Sequence, residues 1–229
     1  MADEVREWRE AVERVCALAG TVDPARMAQR VPACPGWTGR DLLAHMVGLG
    51  ADVLAGDEPD DHNDAWTQAQ VDDRSDRTVA DLLHEWRSFA DELADAMTEH
   101  GTRPLSDVII HEQDLRGLLG EPGGASSVGF AVVRERLAGR FARHVESAGH
   151  GSLALVGEQW TWLSPGLTSA SDADVELAAS DFDLARAIMS RRSARQLRSW
   201  TTRGDVDPLL RCFEVLGDLP VEDLDDGRS

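Results

Sequence analysis

The sequence contains no lysine: all 23 basic side chains among its 229 residues are arginines, set against 42 acidic ones for a net charge of −19. A chain so short of positive charge repels a phosphate backbone, so nucleic-acid binding is not expected. Cysteine is scarce as well. Cys16, Cys34 and Cys212 are odd in number, widely spaced and without a CxxC pair, which argues against both a disulfide framework and a thiolate zinc cluster. No apolar run approaches the roughly 20 residues that cross a bilayer, and the opening MADEVREWREAVERV is charged and helical instead of signal-like. A cytoplasmic protein with no membrane partner is the expectation. The arginine-only, Ala/Asp/Leu-rich composition matches the codon bias of a GC-rich bacterial genome.

What is present divides into two parts. Val5, Trp8, Val12, Val15 and Ala19 recur every three to four residues and predict an amphipathic helix over 3–19, stopped by Gly20. Thr38 and Asp41 form a capping-box pattern ahead of a helix over about 39–55, with Trp37 and Leu42 at the staple positions. The acidic stretch from Asp57 to Asp76 reads as a loop. A third helix follows from Val79 to Gly101, and a fourth opens at Pro104 and stops at Gly120 and Pro122. Four helices with one long crossover make a bundle, assigned to residues 1–122.

Beyond the glycine-rich segment 120–127, a helix over 128–147 leads into a mixed pattern. Ser152–Trp162 and Ala173–Ala179 alternate as strands, and Ser180 with Asp183 caps the helix LARAIMSRRSA. RQLRSWTTRG reads as a strand and DPLLRCFEVLG as a helix. The fold class is therefore α+β, a four-helix bundle followed by a smaller α+β domain at 123–229, whose acidic end VEDLDDGRS is expected to fray.

The chemistry concentrates on two helices. Asp107 and His111 stand four apart on the fourth, one above the other, and Asp114 extends that face by a turn. The adjoining stripe of Leu105, Val108, Ile109, Leu115 and Leu119 sets the polar trio at the border of the bundle interior. On the second helix His45 lies among Leu42, Met46 and Leu49, where an imidazole needs a partner. Two arrangements satisfy this pattern: ordinary hydrogen-bonded pairs, or a donor set of two imidazoles and a carboxylate with open positions, suited to zinc or another divalent ion. In the second case Asp114 would orient a ligand imidazole from behind. His62 falls in the acidic loop, His84 and His100 on a helix face and at its end, and His144 and His150 at a helix exit; all five read as solvated or as partners of a helix C-terminal dipole. HEQDL is not a zincin HExxH, because its second histidine is missing.

The segments VPACPGWTGRDLLAHMVG and PLSDVIIHEQDLRGLLG resemble the second- and fourth-helix motifs of the mycothiol-dependent maleylpyruvate isomerase family, a branch of the DinB-like metalloproteins. A looser likeness runs through LARAIMSRRSARQLRSWTTRGD, so the resemblance covers most of the chain. It implies a DinB-like bundle that binds a divalent metal, often zinc, at His45, Asp107 and His111, and that uses mycothiol, a thiol of actinobacteria. Two positions depart from the family pattern: Asp107 where glutamate is common, and Ser190 where glycine is commoner.

The resemblance further implies that a metal-held mycothiol thiolate attacks a small electrophilic substrate, with cis–trans isomerisation or thiol transfer as the outcome. Arg191, Arg192, Arg195 and Arg198 form a cationic cluster, read either as a solvated helix face or as an anchor for an anionic group; Arg191 and Arg192 are the candidates for cofactor binding. Two other classes fit the same donor set: a metal-dependent hydrolase using bound water, and a regulatory or resistance protein that binds metal or ligand without turnover.

Overall fold

The structure, a computed structural model, describes residues 2–59 and 63–226. The chain divides into two compact units, Met1–Ala131 together with Asp225–Ser229, and Val132–Leu224. A helical N-terminal region followed by an α+β part is the fold class the sequence predicts.

In the first unit, α1 (Ala2–Thr21), α3 (Gly39–Ala55), α5 (Val79–His100) and α6 (Arg103–Leu119) form the bundle, with α1 and α3 each packed on both α5 and α6. Between α1 and α3 lie a short helix, α2 (Pro24–Met27), and an antiparallel pair, β1 (Arg30–Val31) and β2 (Cys34–Thr38). The bundle core is built from Trp8, Val12, Leu43, Trp86, Leu105 and Ile109, all buried. Each side chain of this size contributes roughly 1.5–3 kcal/mol when fully removed from water.

Helix α3 begins where its cap says it should. Thr38 Oγ1 accepts from the Asp41 amide at 3.2 Å, and Asp41 Oδ2 accepts from the Thr38 amide at 3.0 Å. The helix ends at Gly56, in the left-handed conformation at φ 72°. From Leu42 to Gly50 every residue is buried, the state expected of a helix apolar all round. His45 is the one polar side chain in that run.

What covers the outer face of α3 is a helix the sequence reading missed. Within the stretch read as a loop, α4 (Asp64–Asp72) is capped by Asn63, whose side chain accepts from the Trp66 amide at 3.0 Å, and packs against α3. Its approach depends on Gly48, where a Cβ would stand 2.5 Å from Gln70 Cβ.

In the second unit, the strands β3 (Leu153–Val156), β4 (Thr161–Leu163), β5 (Val175–Ala178) and β6 (Thr201–Arg203) form one sheet in the order β4-β3-β5-β6. β3 and β5 are parallel and the outer pairings antiparallel. Helix α7 (Val128–Ala148) contributes Phe141, whose ring centroid lies 4.7 Å from both Trp162 and Phe213. The predicted continuous helix from Leu184 is cut short: α8 (Asp181–Ile188) stops, and α9 (Ala194–Trp200) starts afresh from a Ser193 cap, over residues read as strand. DPLLRCFEVLG is helical only as a 3-10 segment, Asp207–Phe213.

The break falls at Ser190, whose φ of 58° is the conformation that glycine adopts freely. Its hydroxyl donates to the Phe213 carbonyl at 2.8 Å and accepts from the Leu216 amide at 2.9 Å, which offsets the strain. The acidic end is described through residue 226. Leu224 and Asp226 are buried, and Gln196 Nε2 donates to the Leu224 carbonyl at 2.7 Å; the end of that segment, 227–229, lies outside the described residues.

Two measurements check these local arguments. Burial pushes the Asp41 carboxyl up, but hydrogen bonds from Thr38 and Arg40 outweigh it and hold its pKa below the ordinary value. A depressed folded-state pKa stabilises above the unfolded value, about 3.9, and that stabilisation is lost as pH falls through the folded value. Thermal melts of the wild type and Asp41→Asn should therefore differ at pH 7, with the wild type higher, and converge toward pH 3. At Ser190, urea unfolding should show Ser190→Ala less stable than Ser190→Gly by about 1 kcal/mol, because both lose the hydroxyl but only alanine keeps the strain.

Candidate metal centre

Inside the first unit, His45 on α3 meets Asp107 and His111 on α6. His45 Nε2 is 3.2 Å from Asp107 Oδ1, and His111 Nε2 is 3.5 Å from the same oxygen. The two imidazoles stand edge to face with centroids 5.0 Å apart. The short arm of Asp107 thus reaches both rings. Donor atoms around a tetrahedral ion at about 2.0–2.1 Å lie about 3.3–3.4 Å apart, and the two measured separations bracket that edge.

The far side of each ring is fixed as well. His45 Nδ1 lies 2.7 Å from Gln70 Oε1, while Gln70 Nε2 donates to Asp52 Oδ2 at 2.7 Å. A carboxylate accepts only, so it orients the amide, and the amide oxygen then requires Nδ1 of His45 to carry a proton. His111 Nδ1 lies 2.9 Å from Asp114 Oδ2, which imposes the same tautomer. With both Nδ1 atoms donating, the two Nε2 lone pairs and the Asp107 oxygen converge as acceptors. Three acceptors at this range call for a cation between them, either a proton or a metal ion.

The electrostatics agree. Burial disfavours a charged His45, yet the charge and hydrogen bond of Asp107, helped by Gln70 and Asp52, outweigh it and raise its pKa. His45 is only 3% exposed, so the attraction is little screened. Trp37 walls the ring at a centroid distance of 4.9 Å and donates its indole N–H to Gln68 of α4 at 3.0 Å.

Glu112, the glutamate of HEQDL, has a different task. Fully buried, it takes Arg14 in a two-point pair at 2.9 and 2.8 Å and joins α6 to α1. Of the remaining histidines, His84, His100 and His150 are exposed and His144 is half-buried; His62 lies outside the described residues.

Arg191 and Arg192 belong to the second unit, and both are buried there. Arg192 holds Asp183 Oδ1 at 3.0 and 2.9 Å and lies 5.8 Å over the Phe182 ring, while Arg191 donates to the Met189 carbonyl at 3.0 Å. Arg195 and Arg198 are exposed and pair with Asp223 and Asp207. Gln70 and Asp52 were missed by the sequence reading, because the helix carrying Gln70 was read as loop; the Asn63 cap was the available signal.

Fold and site together define a helical-bundle protein with a His–Asp–His donor set, continued by an α+β unit. Residues 8–116 match the mycothiol maleylpyruvate isomerase N-terminal domain. Two solved structures resemble the chain in fold. One is the mycothiol-dependent maleylpyruvate isomerase, with a TM-score of 0.54 and 15% identity, covering 82% of this chain and 88% of that one. The other is a histidine-to-alanine mutant of the mycothiol-dependent maleylpyruvate isomerase, with a TM-score of 0.56 and 15% identity, covering 90% and 94%. No curated protein matches the sequence. Among the described residues no helix is long and apolar enough to cross a membrane.

The close approach at Gly48 generates a test. Gly48→Ala puts a methyl group against Gln70 Cβ and should lower stability in urea by about 1–3 kcal/mol. Ala44→Gly, at a fully buried α3 position, removes a methyl group instead of adding one and should cost about 1–2 kcal/mol, from helix propensity and lost burial.

Proposed function

We propose that the chain is a metal-dependent enzyme in which His45, Asp107 and His111 hold a divalent ion, zinc foremost, and in which a small thiol, mycothiol, is used against a small electrophilic substrate. The reaction class is maleylpyruvate-type cis–trans isomerisation or thiol transfer. The observation that carries this reading is the convergence of two Nε2 lone pairs and one carboxylate oxygen, with both Nδ1 atoms already committed to Gln70 and Asp114. The match of residues 8–116, which contain all five of those residues, to the mycothiol maleylpyruvate isomerase N-terminal domain supports it, as does the mycothiol dependence named for the two structures that share the fold.

His45, Asp107 and His111 would hold the divalent ion, which when bound would supply a Lewis-acid centre that favours the thiolate form of a thiol. The residues of this chain do the rest. Gln70, steadied by Asp52, keeps the His45 ring in its tautomer, and Asp114 does the same for His111. Trp37 covers His45 on one face and limits access of water there.

The test begins with the metal. Elemental analysis of protein loaded with one equivalent of zinc should find it retained by the wild type and by Cys34→Ser, and absent from His111→Ala and from His45→Ala made in the Cys34→Ser background. Gln70→Ala should retain zinc with an affinity about 10–100-fold weaker, the usual effect of removing a partner behind a ligand imidazole. Calorimetry should show mycothiol binding to zinc-loaded protein and weakening greatly after metal removal. Turnover of maleylpyruvate that requires both zinc and thiol would establish the isomerase class; equal thiol affinity in both forms would overturn the reading.

A further inference from the structure

His111 has donors on both sides. Opposite the Nε2 that faces Asp107, its Nδ1 contacts Asp114 Oδ2 at 2.9 Å, and Cys34 Sγ stands 3.5 Å from that same oxygen. Ligand atoms of Cys34, His111 and Asp114 all lie within 4.8 Å of one another. The thiol comes from the first residue of β2, where the β1–β2 pair pairs Cys34 with Val31 and packs against α6.

The geometry points to a second cation site, made by Cys34 Sγ, His111 Nδ1 and Asp114, that takes a thiophilic divalent ion and shares the His111 ring with the His45–Asp107 set. Its donors suit zinc, cobalt or cadmium, since a thiolate is the ligand that such ions prefer to water or carboxylate. For a tetrahedral zinc with sulfur at about 2.3 Å and oxygen at about 2.0 Å, the sulfur–oxygen edge is about 3.5 Å, the separation found between Cys34 and Asp114. The nitrogen–oxygen pair now at hydrogen-bond length has to open by only a few tenths of an ångström when the ion replaces the proton.

Binding here displaces the S–H proton of Cys34 and, in place of its hydrogen bond to Asp114, the Nδ1–H proton of His111 to solvent, so that with both sites filled the His111 ring would bridge them as an imidazolate; no electron moves. Cys34 and His111 are half-buried, so an ion can arrive from water, while the fully enclosed Asp114 supplies a charge with little screening. The net charge of −19 favours divalent cations around the molecule. The other cysteines do not compete: Cys16 and Cys212 are buried, and burial pushes the Cys16 thiol up to about 11 and the Cys212 thiol in the same direction.

Titration of the metal-free full chain with cobalt(II) tests the site, because thiolate bound to cobalt produces an intense near-ultraviolet charge-transfer band. Wild type should saturate at two equivalents and develop that band. Cys34→Ser should lose the band and one equivalent while keeping the visible cobalt absorption of the remaining site and an unchanged circular dichroism spectrum. His45→Ala should keep the band and lose the other equivalent, so failure of the His45–Asp107–His111 reading and failure of this one are separately visible. Saturation of wild type without a near-ultraviolet band, or a band that survives Cys34→Ser, would overturn the proposal.

Discussion

Two ring nitrogens buried in an apolar bundle demand two partners, and the first unit is arranged to meet that demand. His45 sits in the run Leu42–Gly50 of α3, where every residue is buried, so neither nitrogen can turn to bulk water. One nitrogen is met by Gln70 and the other by Asp107. Meeting them fixes the position of α4 on one side and the register of α6 on the other. The polar cluster is thus a condition of packing as well as the proposed place for chemistry, and the same few side chains would answer for both.

How much of this could be read in advance varies with the kind of signal. α1, α3, α5 and α6 carry apolar side chains at helical spacing, and α3 and α5 also carry threonine–aspartate caps, so they were legible. Helix α4 was not, because its nine residues bury only Gln70 and Val71 and offer no apolar stripe. In the second unit, the left-handed Ser190 divides what periodicity alone joins into one helix. The segment after it was misread because short elements there take their form from the sheet they flank.

The site follows the same division. The meeting of His45 with Asp107 and His111 rests on a four-residue helical spacing and on an imidazole in an apolar run, both visible in the sequence. The roles of Gln70, Asp52 and Cys34 rest on approaches between distant segments, for which the sequence holds no period or motif. Glu112 shows the converse: a glutamate beside a histidine in a motif-like string is bound to Arg14 and so serves the bundle.

Because α4 buries so little apolar surface, its place on α3 rests on polar contacts, chief among them those of Gln70 with His45 and of Gln68 with Trp37. A helix held this way belongs to the weakly protected end of a protein's range of local stabilities. Anything that strengthens the hold on the His45 tautomer therefore strengthens the docking of α4, and by thermodynamic reciprocity a docked α4 tightens the grip on whatever occupies the donor set. With an ion held as proposed, the short polar helix would be a gauge of occupancy, its exchange of amide protons with water slowing as the centre fills.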